Sequence, residues 1–236
     1  MRTLRTALVG CGKVGAIHAE ILVDLAESRF VAVCDASRDR SQAFASRYGA
    51  KAFDDLGALL ASGVDVLVIA TPHPLHAGAA IQAAQAGVHV LVEKPLAARL
   101  EDCDAMLKAA RDAGTLVGVV SQRRFCEPVL RMRQAIDSGL IGTPKLGVAL
   151  MFNWRDEAYY RSDPWRGRWE TEGGGVLVNQ APHLLDLLQW FMGPIEEISG
   201  YWANLNHPSI EVEDSAVASV RFQGGGLGSI VMSVSQ

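Results

Sequence analysis

The sequence has no surplus of basic residues. Its 22 Lys and Arg stand against 26 Asp and Glu, a net charge of −4. No cationic field is available to neutralise a phosphate backbone, so a general nucleic-acid binder is excluded. There is no apolar run long enough to cross a bilayer, and no membrane partner is expected. The first strand-like run, RTALVG, begins within a few residues of Met1, leaving no room for the charged, apolar and cleavage regions of a secretory leader. Cysteines are few and scattered. Cys11, Cys34, Cys103 and Cys126 include no C-x-x-C pair, so neither a zinc site nor a disulfide framework is indicated, and a reduced, cytoplasmic setting is expected. What remains is an ordinary globular composition, 49% hydrophobic and 20% charged over 236 residues, enough for one large domain or two small ones.

The first 120 residues alternate two signals. Short runs rich in Val, Leu and Ile lie at Ala7–Gly10, Phe30–Cys34, Val66–Ala70, Val88–Val92 and Leu116–Val120. Helical stretches separate them, notably Ala77–Ala86 and Leu100–Ala113, each followed by a stop glycine, Gly87 and Gly114. Nearly continuous apolar strands alternating with helices imply a parallel sheet covered on both faces. A doubly wound α/β fold is expected over residues 1–120.

The first turn, VGCGKVGAIHAE, sets Gly10, Gly12 and Gly15 in a G-x-G-x-x-G spacing. It follows a strand, opens a helix, and has Asp35 at the end of the next strand, 20 residues past Gly15. That context is what a dinucleotide-binding turn requires. The first glycine makes the tight turn, the second lets backbone approach a pyrophosphate, and the third packs helix on strand. Gly10, Gly12, Lys13 and Val14 are therefore the candidate phosphate-binding positions. Asp35 can accept from both adenosine ribose hydroxyls and repels a 2′-phosphate, which favours NAD. Ser37 and Arg38 lie close behind and are able to hold a phosphate, so NADP stays open.

In a doubly wound sheet, ligands sit beyond the carboxyl ends of the strands. Two such ends carry chemistry: Thr71-Pro72-His73-Pro74-Leu75-His76 and Glu93-Lys94-Pro95. Partial burial of Lys94 would lower its pKa from about 10.4 and suit it to exchange a proton with a substrate hydroxyl. The succession GCGKVGAIHAE, TPHPLHAGAAIQAAQAGVHVLVEKPLA, QRRF and GGGVLVNQAPHLLDLLQW resembles the Gfo/Idh/MocA oxidoreductases along essentially the whole chain. The resemblance implies an N-terminal Rossmann domain and a C-terminal α/β domain with an open, mostly antiparallel sheet. It also implies oxidation or reduction of a secondary alcohol on a sugar or cyclitol with NAD or NADP. By the same motifs, Lys94 bridges substrate and nicotinamide ribose, Glu93 places that ribose, and the Lys94–Pro95 peptide is often cis. Thr71, Pro72, His73 and His76 are then expected to line the nicotinamide side, with Gln122 of QRRF at the cofactor and Arg124 at the substrate. No metal is needed.

After Val120 the pattern changes, and residues 121–236 read as a substrate-binding and oligomerisation domain. A helix is expected at Pro128–Asp137, and strands at Lys145–Phe152, Ile195–Asn204, Ser215–Phe222 and Leu227–Ser235. The last two alternate apolar and other residues around Gln223-Gly224-Gly225-Gly226, a hairpin signal. One face of this sheet is then covered and the other is free for a second subunit, as in the family, giving a homodimer or homotetramer. The stretch NWRDEAYYRSDPWRGRWETEGGG reads as a long connector in which Tyr159, Tyr160, Trp165 and Trp169 alternate with Arg155, Arg161, Arg166 and Arg168. Aromatic faces suit sugar rings and Arg suits carboxylate or phosphate, although interfaces favour the same residues. Trp165 and Arg166 match a family WRG element near the cofactor, and Tyr160 is assigned to the substrate.

In VNQAPHLLDLLQWFMG a helix should start near Pro182, which is tolerated only in a first turn. His183 then sits at its start and matches the family's histidine acid/base. Many members carry Asp four residues before that His, where this chain has Asn179, which can bond a hydroxyl but cannot take its proton. Proton transfer therefore falls to Lys94 and His183. The NQ-x-x-H form resembles the branch acting on nucleotide sugars. Asp186 is placed either to orient His183 or to face solvent. Two rival readings share the motifs: an NAD-dependent glycosidase working through transient oxidation, and a non-catalytic sensor of NAD or sugar. The family continues past the position of Gln236 with further strands and a helix, so the second domain is expected to be incomplete.

Overall fold

The computed structural model describes residues 2–236, which divide after Val120 into two compact units. In the first, β1 (Leu4–Val9) leads through α1 (Lys13–Asp24) to β2 (Ser28–Cys34). Then α2 (Arg38–Tyr48), β3 (Lys51–Phe53), α3 (Leu56–Leu60), β4 (Val66–Ile69), α4 (His76–Gln85), β5 (His89–Val92), α5 (Leu100–Ala113) and β6 (Val117–Val119) follow. The six strands form a single sheet in the order β3-β2-β1-β4-β5-β6, and every pairing is parallel. Successive side chains point to opposite faces, so one strand feeds two cores. Ala7 and Val9 pack with Leu67, Ile69, Val90, Val92 and Met106. Leu8, between them, packs on the other face with Ala19, Leu22, Val33 and Val68. Burial on both faces is why these strands read as unbroken apolar runs.

Connections reverse direction between β1 and β4, the neighbours at which the strand order switches. Loops leaving these two strands diverge to opposite faces, which opens a crevice at their carboxyl ends. Gly10 follows β1, Asp35 follows β2, Thr71 lies just past β4, and Glu93 follows β5. The sheet thus delivers all four singled-out segments to one edge.

The second unit, Ser121–Gln236, contains α6 (Glu127–Asp137), β7 (Leu146–Phe152), α7 (Glu157–Arg161), α8 (Trp169–Glu172), α9 (Pro182–Met192), β8 (Ile195–Ala203), β9 (Ser215–Phe222) and β10 (Leu227–Ser233). Its sheet runs β7-β10-β9-β8. β8–β9 and β9–β10 are antiparallel, whereas β10–β7 is parallel. The sheet is therefore mixed, with antiparallel pairs in the majority. The expected hairpin is present: the Phe222 N–H donates to Gly226 O across the glycine turn. Phe222, Val220, Ile230, Met232, Ala149 and Met151 point to one face and meet Val176, Ala181 and Leu188. Burying a side chain the size of Phe222 contributes roughly 1.5–3 kcal/mol. The opposite face leaves Leu146, Val148, Leu150, Phe152 and Val217 exposed. The aromatic connector is not one long loop, since α7 and α8 interrupt it.

Candidate functional site

In the first unit the glycine turn is built by close approach. Gly10 has φ +98°, and a Cβ there would fall 2.6 Å from the Ala70 backbone. A Cβ on Gly15 would fall 2.0 Å from Gly10 O, so the helix can pack on the turn only without one. Gly12 is different, because a Cβ there meets no protein atom within 4 Å. Space is thus kept beside the α1 N-terminus, where no side chain caps the helix and no acid occupies the first turn. Gly12, Lys13 and Val14 are exposed there. Uncapped N–H groups and the positive helix end suit an anion. Thr71, whose N–H backs onto Gly10, adds a buried hydroxyl with no hydrogen-bond partner. This cradle fits a dinucleotide pyrophosphate, with Thr71 Oγ1 free to bond it.

Asp35 is 7% exposed and receives four donors. The Cys11 N–H donates to Oδ2 at 2.8 Å, the Ser37 N–H to Oδ1 at 2.7 Å, and Arg40 Nε and Nη2 to Oδ1 at 3.0 and 2.7 Å. Burial pushes this carboxyl up, but Arg40 and the two N–H groups outweigh it and hold it below the ordinary value. Ser37 also caps α2 by accepting the Arg40 N–H. Arg38 is exposed. Arg40 was missed in the sequence because a charge on a polar helix reads as solvated. Burial and the Asp35 charge push the Cys11 thiol, inside the turn, up to about 12.

At the end of β5, Glu93 Oε1 pairs with His18 Nε2 at 2.8 Å and its Oε2 accepts the Lys94 N–H at 3.2 Å. Burial pushes Glu93 up, yet His18 and the Lys94 N–H together hold it below the usual carboxylate range. His18 was also missed; it ties the phosphate-turn helix to the strand end. The Lys94–Pro95 peptide is cis, as the resemblance implies. Lys94 is half-buried and Pro72 exposed. His73 is buried against His76, ring to ring at 5.8 Å. His76 requires a correction. It does not line the crevice but is 0% exposed, with Nδ1 on Pro95 O and Nε2 on Thr71 O, both at 2.9 Å. It braces the β4 end against the Glu93-Lys94-Pro95 segment.

In the second unit, Asn179 lies in a π-helical turn, Val176–Gln180, immediately ahead of α9. Pro182 opens α9, and His183 follows it, half-buried, in the first turn. Glu213 staples the turn: its carboxylate accepts the Gly175 and Leu177 N–H groups at 2.8 and 2.9 Å, and its carbonyl accepts the Val176 N–H at 2.9 Å. The Asn179 amide donates to Glu172 Oε1 at 2.5 Å and to the Tyr159 hydroxyl at 3.1 Å. Gln180 Nε2 and Arg166 Nη1 donate to the same hydroxyl at 3.0 and 2.6 Å. The Arg166 guanidinium lies 4.3 Å from the Trp165 ring and 4.4 Å from the Tyr159 ring. Asn179, Arg166 and Trp165 therefore belong to one cluster.

Two further residues there were illegible in sequence. Glu172 is 1% exposed, and burial above all raises its pKa against the Gly167 N–H, Asn179 and Arg166. Tyr159, not Tyr160, carries the hub hydroxyl. Tyr160 is buried against His207 and Tyr159, and burial, then Glu172, raises its phenol. Gln122 is exposed in the turn Gln122–Phe125. Arg124, from the same turn, forks onto Asp186 at 2.8 and 2.5 Å and lies 5.0 Å over Trp190. Asp186 thus accepts a forked, charge-assisted pair from Arg124. Among the described residues no group of three or more His, Cys, Asp or Glu is placed to hold a metal ion, and no helix is long and apolar enough to cross a membrane.

A switch-point crevice with a glycine turn, a buried acid at the end of the next strand and an uncapped helix start defines a dinucleotide-binding Rossmann domain. The chain belongs to the Gfo/Idh/MocA oxidoreductase family: residues 4–121 match its model, described as an oxidoreductase family with an NAD-binding Rossmann fold, and residues 129–236 match the GFO/IDH/MocA C-terminal domain. It is 29% identical over 233 residues to myo-inositol 2-dehydrogenase of Thermotoga maritima, covering 96% of this chain and 67% of that protein. It is similar to the crystal structure of the WlbA dehydrogenase from Bordetella pertussis in complex with NADH and UDP-GlcNAcA. That match has 38% identity and a TM-score of 0.92, covering 100% of this chain and 72% of the other. The corresponding complex from Chromobacterium violaceum matches at 35% identity and the same TM-score of 0.92, covering 100% of this chain and 68% of that one. The chain spans about two thirds of the length of such curated relatives, between 66% and 68% in three of them.

Proposed function

We propose that the chain oxidises or reduces a secondary alcohol or ketone carbon of a sugar derivative or cyclitol with NAD, and that a nucleotide-linked sugar is the favoured substrate. The NQ-x-x-H segment, Asn179 to His183, and the likeness to two dehydrogenases crystallised with UDP-GlcNAcA support the finer choice. The observation that carries the reaction is the placement of Glu93-Lys94-Pro95 at the carboxyl end of β5, on the sheet edge that also holds the glycine turn and Asp35.

Gly10, Gly12, Lys13 and Val14 hold the pyrophosphate, Asp35 the adenosine ribose, and Thr71 and Glu93 the portion nearer the reacting ring. When bound, the nicotinamide supplies the acceptor or donor of the hydride. Oxidation makes a carbonyl as the hydroxyl proton departs, so a base must stand within hydrogen-bond reach of that oxygen. An imidazole nitrogen of His183 takes this proton. The Lys94 ammonium steadies the charge that develops on the oxygen. Asn179, which cannot take a proton, orients a hydroxyl, and the Glu172 carboxylate and Tyr159 hydroxyl fix its amide.

The exposed apolar face formed by Leu146, Val148, Leu150, Phe152 and Val217 is assigned to a second copy of this chain, in a homodimer or homotetramer. Four free cysteines suit a cytoplasmic setting.

The test is Lys94→Ala, assayed by NADH formation over a panel of UDP-sugars, free sugars and cyclitols. The expected result is a turnover loss of about 10²–10⁴, the usual worth of a positioned acid/base group, with the NAD Kd changed only a few fold. Undiminished turnover in this variant would end the proposal. Glycoside cleavage without accumulation of NADH would replace net oxidation with its transient form.

A further inference from the structure

The neighbours of Asn179 leave its amide one orientation. Glu172 is 1% exposed and Asn179 7%, so the bond between them is made away from solvent. The Glu172 carboxylate can only accept: Oε2 takes the Gly167 N–H and Oε1 takes the Asn179 amide, both at 2.5 Å. Turned over, that amide would set its Oδ1 against the carboxylate oxygen, lone pair to lone pair. The Tyr159 hydroxyl agrees. Its oxygen has two lone pairs and one proton to meet Arg166 Nη1, Asn179 Nδ2 and Gln180. Arg166 only donates, and Asn179 presents to the hydroxyl the same Nδ2 it presents to Glu172, so these two fill the lone pairs. The proton goes to Gln180, with its amide turned so that Oε1, otherwise buried without a partner, receives it. Both amide hydrogens of Asn179 are thereby engaged inside the cluster. What position 179 can offer a substrate is Oδ1, which accepts and does not donate.

We infer that Glu172 is a positioning residue that sets what position 179 offers the substrate: an uncharged acceptor for a hydroxyl or amide N–H, with a carboxylate at 179 excluded while Glu172 stays. An Asp at 179 would bring a second carboxylate to hydrogen-bond distance of one already stripped of water, and the two could coexist only by sharing a proton. The identities at 172 and 179 are therefore set together. Exchanging their chemistry, Asn179→Asp with Glu172→Gln, keeps both side-chain sizes and keeps one donor facing one acceptor, but moves the charge to 179. Glu172→Gln alone reverses the contact. Its Oε1 must take the Gly167 N–H, so its Nε2 faces Asn179. The Asn179 amide then turns Oδ1 toward residue 172 and leaves Nδ2, a donor, for the substrate.

The substrate side of this inference rests on the reaction proposed above, whereas the pairing of the two side chains does not, and the experiment reads them separately. Thermal melting followed by tryptophan fluorescence is measured at pH 8 and pH 5 for the native chain, Asn179→Asp, Glu172→Gln and the double variant. Arg166, Glu213, Tyr159 and Tyr160, the other ionisable groups around Glu172, are the same in all four chains. Asn179→Asp should melt about 10 °C or more below the native chain at pH 8, the effect of an uncompensated buried charge. At pH 5 a shared proton should return much of that loss. The double variant should melt within about 3 °C of the native chain at both pH values. Turnover is then measured on whichever sugar of the panel the native chain oxidises fastest. Glu172→Gln should raise KM about tenfold or more with kcat changed only a few fold, and the double variant should bring KM back toward the native value. A double variant no more stable than Asn179→Asp overturns the inference, as does an Asn179→Asp chain as stable as the native one at pH 8 or a Glu172→Gln chain with native KM. Should the native chain oxidise no sugar, the proposed reaction falls, while the melting series still decides the pairing.

Discussion

Replacing Gly175 with alanine tests whether the turn carrying Asn179 is held by Glu213. A Cβ at Gly175 would lie 1.9 Å from the Glu213 carbonyl oxygen and 2.9 Å from its carbon. These are backbone atoms, so no rotamer change relieves the overlap, and the turn must move by about 1 Å or more to restore ordinary contact. Such a shift removes the Val176 N–H bond to Glu213 O and strains the two N–H bonds to its carboxylate, now 2.8–2.9 Å. Bonds to a buried charged group contribute about 1.5–3 kcal/mol each and a backbone pair about 1 kcal/mol. With partial relaxation, a loss of roughly 3–5 kcal/mol is expected. The assay is equilibrium unfolding in urea followed by tryptophan fluorescence. All five tryptophans, Trp154, Trp165, Trp169, Trp190 and Trp202, lie in the second unit, so the signal reports on that unit alone. Gly175→Ala should lower its midpoint while NAD affinity, a property of the first unit, changes only a few fold. A midpoint indistinguishable from the native one would refute the reasoning, because that overlap leaves no room for a silent substitution.

Two other outcomes follow from the same geometry. Gly12→Val should leave stability within about 0.5 kcal/mol, as expected for an exposed substitution, because its Cβ meets nothing in the protein. Its NAD Kd should nevertheless rise by more than about tenfold, since the added methyls occupy the space the pyrophosphate needs. Asp214 is fully buried and burial pushes its carboxyl up, but the Leu205 N–H, His207 and the Asn206 N–H hold it down at about 2. A depressed carboxyl adds stability that is complete above the unfolded value near 3.9 and is lost as pH falls through about 2. Asp214→Asn should therefore lower stability at pH 7 by on the order of 2–3 kcal/mol and flatten its decline between pH 4 and pH 2. A native-like acid denaturation curve in this variant would contradict that account.

The parallel sheet was legible because its strands are buried on both faces and its turns are chemically marked. Leu8 and Val68 need apolar neighbours on one side while Ala7 and Leu67 need them on the other, so no polar residue interrupts the runs. α2 and β3 gave no such signal: in RDRSQAFASRY only Ser41 is buried, and β3 is a three-residue edge. Arg40 was invisible for that reason, its partner being fixed by the fold and not by local pattern. Tyr159 and Tyr160 are adjacent, and only the turn of α7 decides which phenol enters the core and which faces Asn179. The π-helical turn has no propensity signature of its own; the run Gly173-Gly174-Gly175 and Pro182 marked its limits but not its width. His76 looked like a crevice residue because its segment follows the carboxyl end of a strand, and two backbone carbonyls supplied by the tertiary fold claimed its ring instead.

The thiol set into the glycine turn has a practical consequence for handling this protein. Alkylating probes and mild oxidants attack thiolates, and Cys11, held at about 12, stays protonated and shielded under any ordinary buffer. Cys34, held at about 11, is silent in the same way, and burial pushes the half-buried Cys103 thiol up as well, whereas Cys126 stands exposed. A maleimide dye should therefore settle at Cys126, giving a spectroscopic reporter attached without disturbing the nucleotide cradle.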